Sequence, residues 1–457
     1  MKLSKISVGI ATLCGVLSAP AFALPANQFD ANTVNIRISG ATAQDVAVGS
    51  AVLAVCQPGT TNLYTISNQF VYFCTPNLTK IVLPGATTAT KLAVYKHSVG
   101  GSGNGVTPIN SGATLPFLNL SQIAASTCFV ATSTATTTNC GTITGLTSNH
   151  VAAIGISDVE PAFFGAPSTF ANLTSVPLAT VVFGVPVTRN VYEALQVKQG
   201  ITNVGSLVAA DMPNITTGQM TSLYTQEGQS WSGVLGIPAA ATSDDIVYVA
   251  RRVDTSGTQK TYEAVIARTT NGDPTGKSCQ VQVDGFVSNP TVVPNNDATA
   301  NAACGGTNFV VNNSGSQQVL RCMGKHQDDG RGAVGTLTTE TLTLASTTST
   351  VQAVIDATKL RFLKVNGLAP TAANVIAGSY TFYGDATLNT RASNLNANDT
   401  AFVTALKANF AATPVAQPFG NAGLLELNIV TGLTTGNPFN RIVSGEQNNC
   451  QQGRLQF

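Results

Sequence analysis

Seven consecutive residues, Arg252-Val253-Asp254-Thr255-Ser256-Gly257-Thr258, set a cation, a carboxylate, hydroxyl groups and a glycine side by side. That is the inventory of a tetrahedral-oxyanion site. A guanidinium offers a planar fork of N–H donors, and Ser256, Gly257 and Thr258 add hydroxyls and backbone N–H groups where a loop opens a helix. Asp254 is placed to hold the guanidinium. The segment follows the β-branched run Asp245–Ala250 and precedes Gln259–Ala264, which reads as a first helical turn, so the loop has the strand-to-helix setting that anion binding needs. Neighbouring strand residues face opposite ways, so only one of Arg251 and Arg252 can face a ligand, and the motif register selects Arg252.

The elements that must position such a loop recur along the chain. Val34–Ile38 alternates like a strand and stops at Ser39-Gly40-Ala41-Thr42-Ala43. Leu92–Tyr95 leads to Val99-Gly100-Gly101-Ser102-Gly103-Asn104-Gly105, and Ala152–Ile156 to Ser157-Asp158. Strands that each end in a Gly, Ser, Thr or Asp loop are what an open α/β sheet presents at its carboxyl edge, where ligands bind. Further along, Val181–Val187 is an apolar run, Arg189–Val197 has helical character, and 216–236 reads as a helix followed by a turn. The segment 270–313 is dense in Asn, Gly and Pro and reads as a decorated insertion. Ala333–Gly335 and Leu360–Val365 supply later elements, and Thr400–Phe410 an amphipathic helix.

Four of these loops, in this order, resemble those of the extracytoplasmic phosphate-binding protein of the high-affinity phosphate transporter, in the type 2 periplasmic binding-protein fold. Gly40-Ala41-Thr42-Ala43 resembles a Gly-Ala-Thr-aromatic loop, and Gly101–Ile109 a Gly-Ser-Ser-Gly-Gly run that opens a helix. Ile154-Gly155-Ile156-Ser157-Asp158 resembles a Phe-Gly-Ala-Ser-Asp strand end, and Arg252–Thr258 an Arg-x-Asp-Gly-Ser-Gly-Thr loop. The resemblance implies a two-lobed α/β fold with a hinge and an interlobe cleft. It implies hydroxyl donors at Thr42, Ser102, Ser256 and Thr258, backbone N–H donors at Ala43 and Gly257, and a charge-assisted contact from Arg252 oriented by Asp254. Asp158 is implied to accept a hydrogen bond from a protonated oxyanion, which selects hydrogen phosphate over sulfate because sulfate has no proton to give. Ala43 replaces the family's aromatic residue, Asn104 a glycine and Thr255 another glycine. An ABC permease of the inner membrane is the implied partner, and no cofactor or metal is expected.

On this reading 1–23 is a signal peptide and 24–185 the first part of lobe 1, with an inserted loop at about 107–150. Lobe 2 is 186–335, with an inserted loop at about 270–323, and 336–457 returns to lobe 1. The signal peptide is expected from Lys2 and Lys5, an apolar core over Ile6–Leu17 and the small-x-small site Ala21-Phe22-Ala23, cut after Ala23. No later stretch approaches the length of a membrane helix. Without Lys2 and Lys5 the chain has 21 basic and 22 acidic residues, so no nucleic-acid footprint is present and anion affinity must come from local hydrogen bonds.

Eight cysteines remain after the signal: Cys56, Cys74, Cys128, Cys140, Cys279, Cys304, Cys322 and Cys450. Sequence neighbours suggest Cys56–Cys74, Cys128–Cys140 and Cys279–Cys304, with Cys322–Cys450 by elimination, one pairing among 105. No CxxC spacing occurs, and His97, His150 and His326 lie far apart in sequence, which disfavours a zinc site. Two other uses of the chain stand beside phosphate capture. One is a secreted or cell-surface interaction protein whose anion site is vestigial and whose inserted loops carry the function; the other is a phosphoester hydrolase, which lacks a recognisable nucleophile or metal cluster here. Within phosphate capture, arsenate has the same charge and protonation pattern as phosphate.

Overall fold

The computed structural model describes residues 23–410 apart from 67, 125–136, 140–144, 166, 226–227, 264, 266–291, 294–303, 305–307 and 340–357, together with 424–425. Residues 1–22 of the expected signal peptide, Cys128, Cys140, Cys279 and Cys450 lie outside the described residues. Two sheets organise the chain. The larger, ten-stranded, runs in spatial order Leu337–Thr338, Thr174–Gly184, Tyr383–Thr390, Ile154–Ser157, Thr33–Gly40, Lys91–His97, Gln69–Cys74, Asn62–Ile66 and Thr137–Asn139, with Leu424–Leu425 against Thr174–Gly184. The smaller runs Val292–Val293, Val310–Asn313, Val247–Arg252, Gly332–Gly335, Pro186–Thr188 and Leu360–Phe362. The expected two-lobed α/β architecture is present, with one of these sheets in each lobe.

Side-chain alternation explains why both faces of each sheet are covered. In Gln69–Cys74, Val71 and Phe73 join one buried cluster with Tyr64, Ile66, Tyr95 and Phe117. Tyr72 and Cys74 join the opposite one with Ile36, Ile38 and Val94, under the helix Asp45–Val55. In the smaller sheet Val247 and Val249 face Trp231, Tyr224 and Met220. Tyr248 and Ala250 face Val319, Leu320 and Met323 of the helix Ser316–Asp328. The cluster holding Ile36 and Val247 runs through Phe183, Val185 and Val187, so the lobes share one core where the chain passes between them.

The topology decides where loops end up. Thr33–Gly40 pairs in parallel with both Lys91–His97 and Ile154–Ser157, so the three loops that follow these strands leave the same edge. Val247–Arg252 likewise pairs in parallel with Val310–Asn313, which brings the loop after Arg252 beside the loop after Asn313.

Several expectations change. Val310–Asn313 and the first half of Ser316–Asp328 fall within the stretch expected to be an inserted loop at 270–323. They are instead an interior strand and the helix that covers it, because every side chain of Val-Val-Asn-Asn is buried between two parallel neighbours. The stretch at 107–150 likewise holds Thr107–Ser111, Thr114–Leu118, Leu120–Ala124 and Thr147–Val151, two of which pair as antiparallel strands. Leu360–Phe362 belongs to the smaller sheet although it lies beyond 336, and the chain rejoins the larger sheet at Tyr383–Thr390.

The Cys56–Cys74 pairing is found. Cys304 pairs with Cys322 and not with Cys279, which also overturns Cys322–Cys450. Cys322 sits on the buried face of Ser316–Asp328, and that face is turned toward Cys304 by the packing of Val319, Leu320 and Met323 on the sheet.

Candidate functional site

The first three loops meet backbone to backbone. A Cβ on Gly40 (φ +116°) would lie 1.9 Å from the Ile156 carbonyl oxygen, and one on Gly155 2.0 Å from that of Gly105. Glycine at these positions lets the loops converge. Thr42 opens a 3-10 turn, Thr42–Gln44, that also holds the buried Ala43. Ser102 is buried in the turn Gly101–Gly105, and its Oγ accepts from the Asp158 N–H at 3.0 Å. The Asp158 side chain is also buried and accepts from Gln44 Nε2 at 3.1 Å.

The fourth loop comes from the other lobe and docks on these. Ser256 caps the helix Gly257–Tyr262, accepting from the Gln259 N–H, and Thr258 is buried in its first turn. A Cβ on Gly257 would lie 2.5 Å from Ser102 Oγ and 2.7 Å from Asp158 Cβ, so a side chain is excluded where the lobes touch. The Gly103 N–H donates across the junction to the Thr255 carbonyl at 2.8 Å. Thr42, Ala43, Ser102, Asp158, Arg252, Ser256, Gly257 and Thr258 therefore all lie on the loops that meet at this junction.

Arg252 is 1% exposed, and its fork is spread over both lobes. Nε donates to the Asn313 carbonyl at 3.2 Å, Nη1 to Ser316 Oγ at 3.3 Å, and Nη2 to the Ser314 carbonyl at 3.2 Å and to Thr42 Oγ1 at 3.3 Å. Asp254 does not orient it. Asp254 is half exposed and bonds Arg251 Nη2 at 2.9 Å, while Arg251 also reaches Asn312 and Glu263 on the far side of the strand. The alternation that puts Arg252 toward the junction puts Arg251, and Asp254 with it, away from it. The groups that hold the guanidinium are neutral and come from the loop 313–316 and from Thr42, so its charge is not cancelled by the carboxylate expected beside it. Burial lowers the Arg252 pKa to about 10, against the opposing pull of Asp158 and Asp45, so it stays a cation at neutral pH.

Asp158 and Arg252 make no ion pair with each other, although each feels the other's charge. Burial pushes the Asp158 carboxyl up, offset by Gln44, Arg252, Ser102 and Lys96. A buried guanidinium and a buried carboxyl thus sit on facing loops, each held by neutral hydrogen-bonding groups.

Residues absent from the sequence expectation are Gln44, Asn313, Ser314 and Ser316. A signal for the last three was available, since Val310–Asn313 followed by Ser314-Gly315-Ser316 repeats the strand-then-small-residue grammar of the other loops. The histidines are engaged elsewhere: His97 Nδ1 with the Pro116 carbonyl, His150 with Ser148, and His326 stacked on Tyr248. Among the described residues no group of three or more His, Cys, Asp or Glu gathers as a metal site, and no helix is long and apolar enough to cross a membrane.

The fold and the site together define a two-lobed α/β protein with a hydroxyl-lined, Arg- and Asp-bearing junction. No protein-family model matches the sequence, and no curated protein is significantly similar to it. Among solved structures, the chain is similar to a candidate phosphate ABC transporter substrate-binding protein from Clostridium perfringens, crystallised with bound phosphate. The identity is 13%, over 86% of this chain and 99% of that one, with a TM-score of 0.45. It is also similar to an ABC-type phosphate transport receptor from Vibrio cholerae (15% identity, 82% and 94% covered, TM-score 0.38) and to PstS from Borrelia burgdorferi (12%, 86% and 98%, 0.34). These scores are all below 0.5, so a ligand has to be argued from the site residues themselves.

Proposed function

We propose that this protein is an extracytoplasmic solute-binding protein that captures hydrogen phosphate between its lobes and does no chemistry on it. The observation that carries the reading is the pairing of a buried guanidinium with a buried carboxylate across one junction, without an ion pair between them. An Arg fork suits the oxygens of a tetrahedral anion, and the hydroxyls of Thr42, Ser102, Ser256 and Thr258 with the N–H groups of Ala43 and Gly257 supply further donors. A carboxylate in such a site repels a fully deprotonated anion and accepts from a protonated one, which favours hydrogen phosphate, or arsenate, over sulfate. Delivery would be to an ABC permease in the inner membrane.

The test is calorimetric titration of phosphate and then sulfate into mature protein freed of bound ligand by unfolding and refolding with its disulfides intact. Saturable phosphate binding that is lost in Arg252→Ala, with no sulfate signal, is the expected result. No heat with either ion in folded protein would overturn it and turn attention to the surface loops.

A further inference from the structure

Lys96 is one of the largest fully buried side chains in the protein, and the anion site as described does not use it. It lies near the end of Lys91–His97, the strand that leads to the second loop. Its ammonium is 3.2 Å from the Gly40 carbonyl oxygen, 3.1 Å from that of Ala41 and 2.6 Å from Ser98 Oγ. Asp45, the first residue of the helix Asp45–Val55, completes the set at 3.1 Å and accepts from Ser98 Oγ at 2.5 Å. Both carbonyls belong to the first loop. A buried ammonium is costly unless paired, and this one has a carboxylate and three neutral acceptors.

The geometry has a consequence for the loop. In a trans peptide the C=O and the following N–H point to opposite sides. The Gly40 carbonyl faces Lys96, and the Ala41 N–H accordingly points away from it, donating to the Ile156 carbonyl at 2.8 Å. By the same rule the Ala41 carbonyl, also on Lys96, turns the Thr42 N–H away from the ammonium. The next side chain, Thr42, is the one that meets Arg252.

We propose that Lys96, anchored by Asp45, is a positioning residue of the anion site that clamps the first loop through its Gly40 and Ala41 carbonyls and so aims Thr42 and Ala43 into the junction. The inference rests on the phosphate reading for its effect on affinity, but the clamp itself can be read without ligand. Lys96 also adds a second buried cation whose charge reaches Asp158.

The test uses the double variant Lys96→Met/Asp45→Asn in the full mature chain, because Lys96→Met alone leaves a largely buried carboxylate without its cation and can fail to fold for that reason alone. Two readouts are taken. Hydrogen exchange of the ligand-free protein is expected to accelerate by about tenfold or more in peptides covering 40–45, with the strands Gln69–Cys74 and Val247–Arg252 unchanged; a merely structural loss would accelerate exchange throughout. Phosphate titration is expected to show affinity weakened by about tenfold or more, the scale of a lost charged-group hydrogen bond. Unchanged exchange over 40–45 overturns the proposal whatever the phosphate result. So does wild-type phosphate affinity in the double variant. Faster loop exchange in a protein whose wild-type form gives no phosphate heat would uphold the clamp and remove the phosphate reading.

Discussion

Replacing Asp158 by Asn is the most searching perturbation of the site, because it changes charge and almost nothing else. The backbone N–H of residue 158 would still donate to Ser102 Oγ, and the side-chain oxygen would still accept from Gln44 Nε2, now held at 3.0 and 3.1 Å respectively. The fold should therefore persist. What disappears is an anionic acceptor for the ligand's proton, and a hydrogen bond to a charged group is worth roughly 1.5–3 kcal/mol. At about 1.4 kcal/mol per decade, phosphate affinity should fall roughly 10- to 100-fold. Sulfate moves the other way, since a neutral amide replaces a repelling carboxylate and can turn its NH2 toward the anion. Calorimetric competition between the two ions, at mildly alkaline pH where hydrogen phosphate predominates, reads both changes as one ratio.

The wild-type protein should show a related pH effect. Burial raises the Asp158 pKa, so lowering the pH protonates it earlier than an exposed Asp and converts it to a donor. Sulfate acceptance should then grow as pH falls in the wild type and stay flat in Asp158→Asn. An unaltered phosphate-to-sulfate ratio in the variant would refute the role given to this carboxylate and the selectivity argument with it.

Gly257→Ala sets a Cβ 2.5 Å from Ser102 Oγ at the lobe contact, so titration should show phosphate affinity weakened by about tenfold or more, overpacking of this kind costing roughly 1–3 kcal/mol. Asp385 is buried between strands with its pKa raised from 3.8 to about 7, with Thr180 opposing the rise. Because the folded pKa is the higher one, its contribution to stability is fully present below the unfolded value and is lost as pH rises through about 7. Denaturant melts should lose up to ~4 kcal/mol across that window in the wild type, at ~1.4 kcal/mol per pKa unit, and Asp385→Asn should flatten the slope. Peptide mapping under non-reducing conditions should recover Cys304 linked to Cys322, and Cys304→Ala/Cys322→Ala should lower stability by ~3 kcal/mol for a loop of this length.

Much of the site was legible in the sequence because it is written locally. A β-branched run followed by Gly, Ser, Thr or Asp specifies a strand and the loop that ends it, and the observed strands Thr33–Gly40, Lys91–His97, Ile154–Ser157 and Val247–Arg252 contain or overlap the runs that announce them. Strand alternation said that only one of Arg251 and Arg252 faces the site and the register of the loop motif selected Arg252; the two side chains do face opposite ways. The same local reasoning misjudged Val310–Asn313. Two valines between Asn- and Gly-rich flanks carry no alternation, and an interior parallel strand needs none.

Only the tertiary structure decided the long-range pairings. The backbone distance from Arg252 to Asp254 is short, yet the guanidinium is held by residues 61 to 64 positions away because the parallel register of Val247–Arg252 with Val310–Asn313 delivers them there. Cys322 chose Cys304 for a similar reason, since the helix face it shares with Val319 and Met323 is fixed by burial against the sheet. The contact of Gly257 with Ser102 and Asp158 joins loops from different lobes, which no local pattern encodes. Period and turn chemistry act over a few residues and so can be read along the chain, whereas register, lobe contact and the clamp on the first loop depend on which surfaces meet in space.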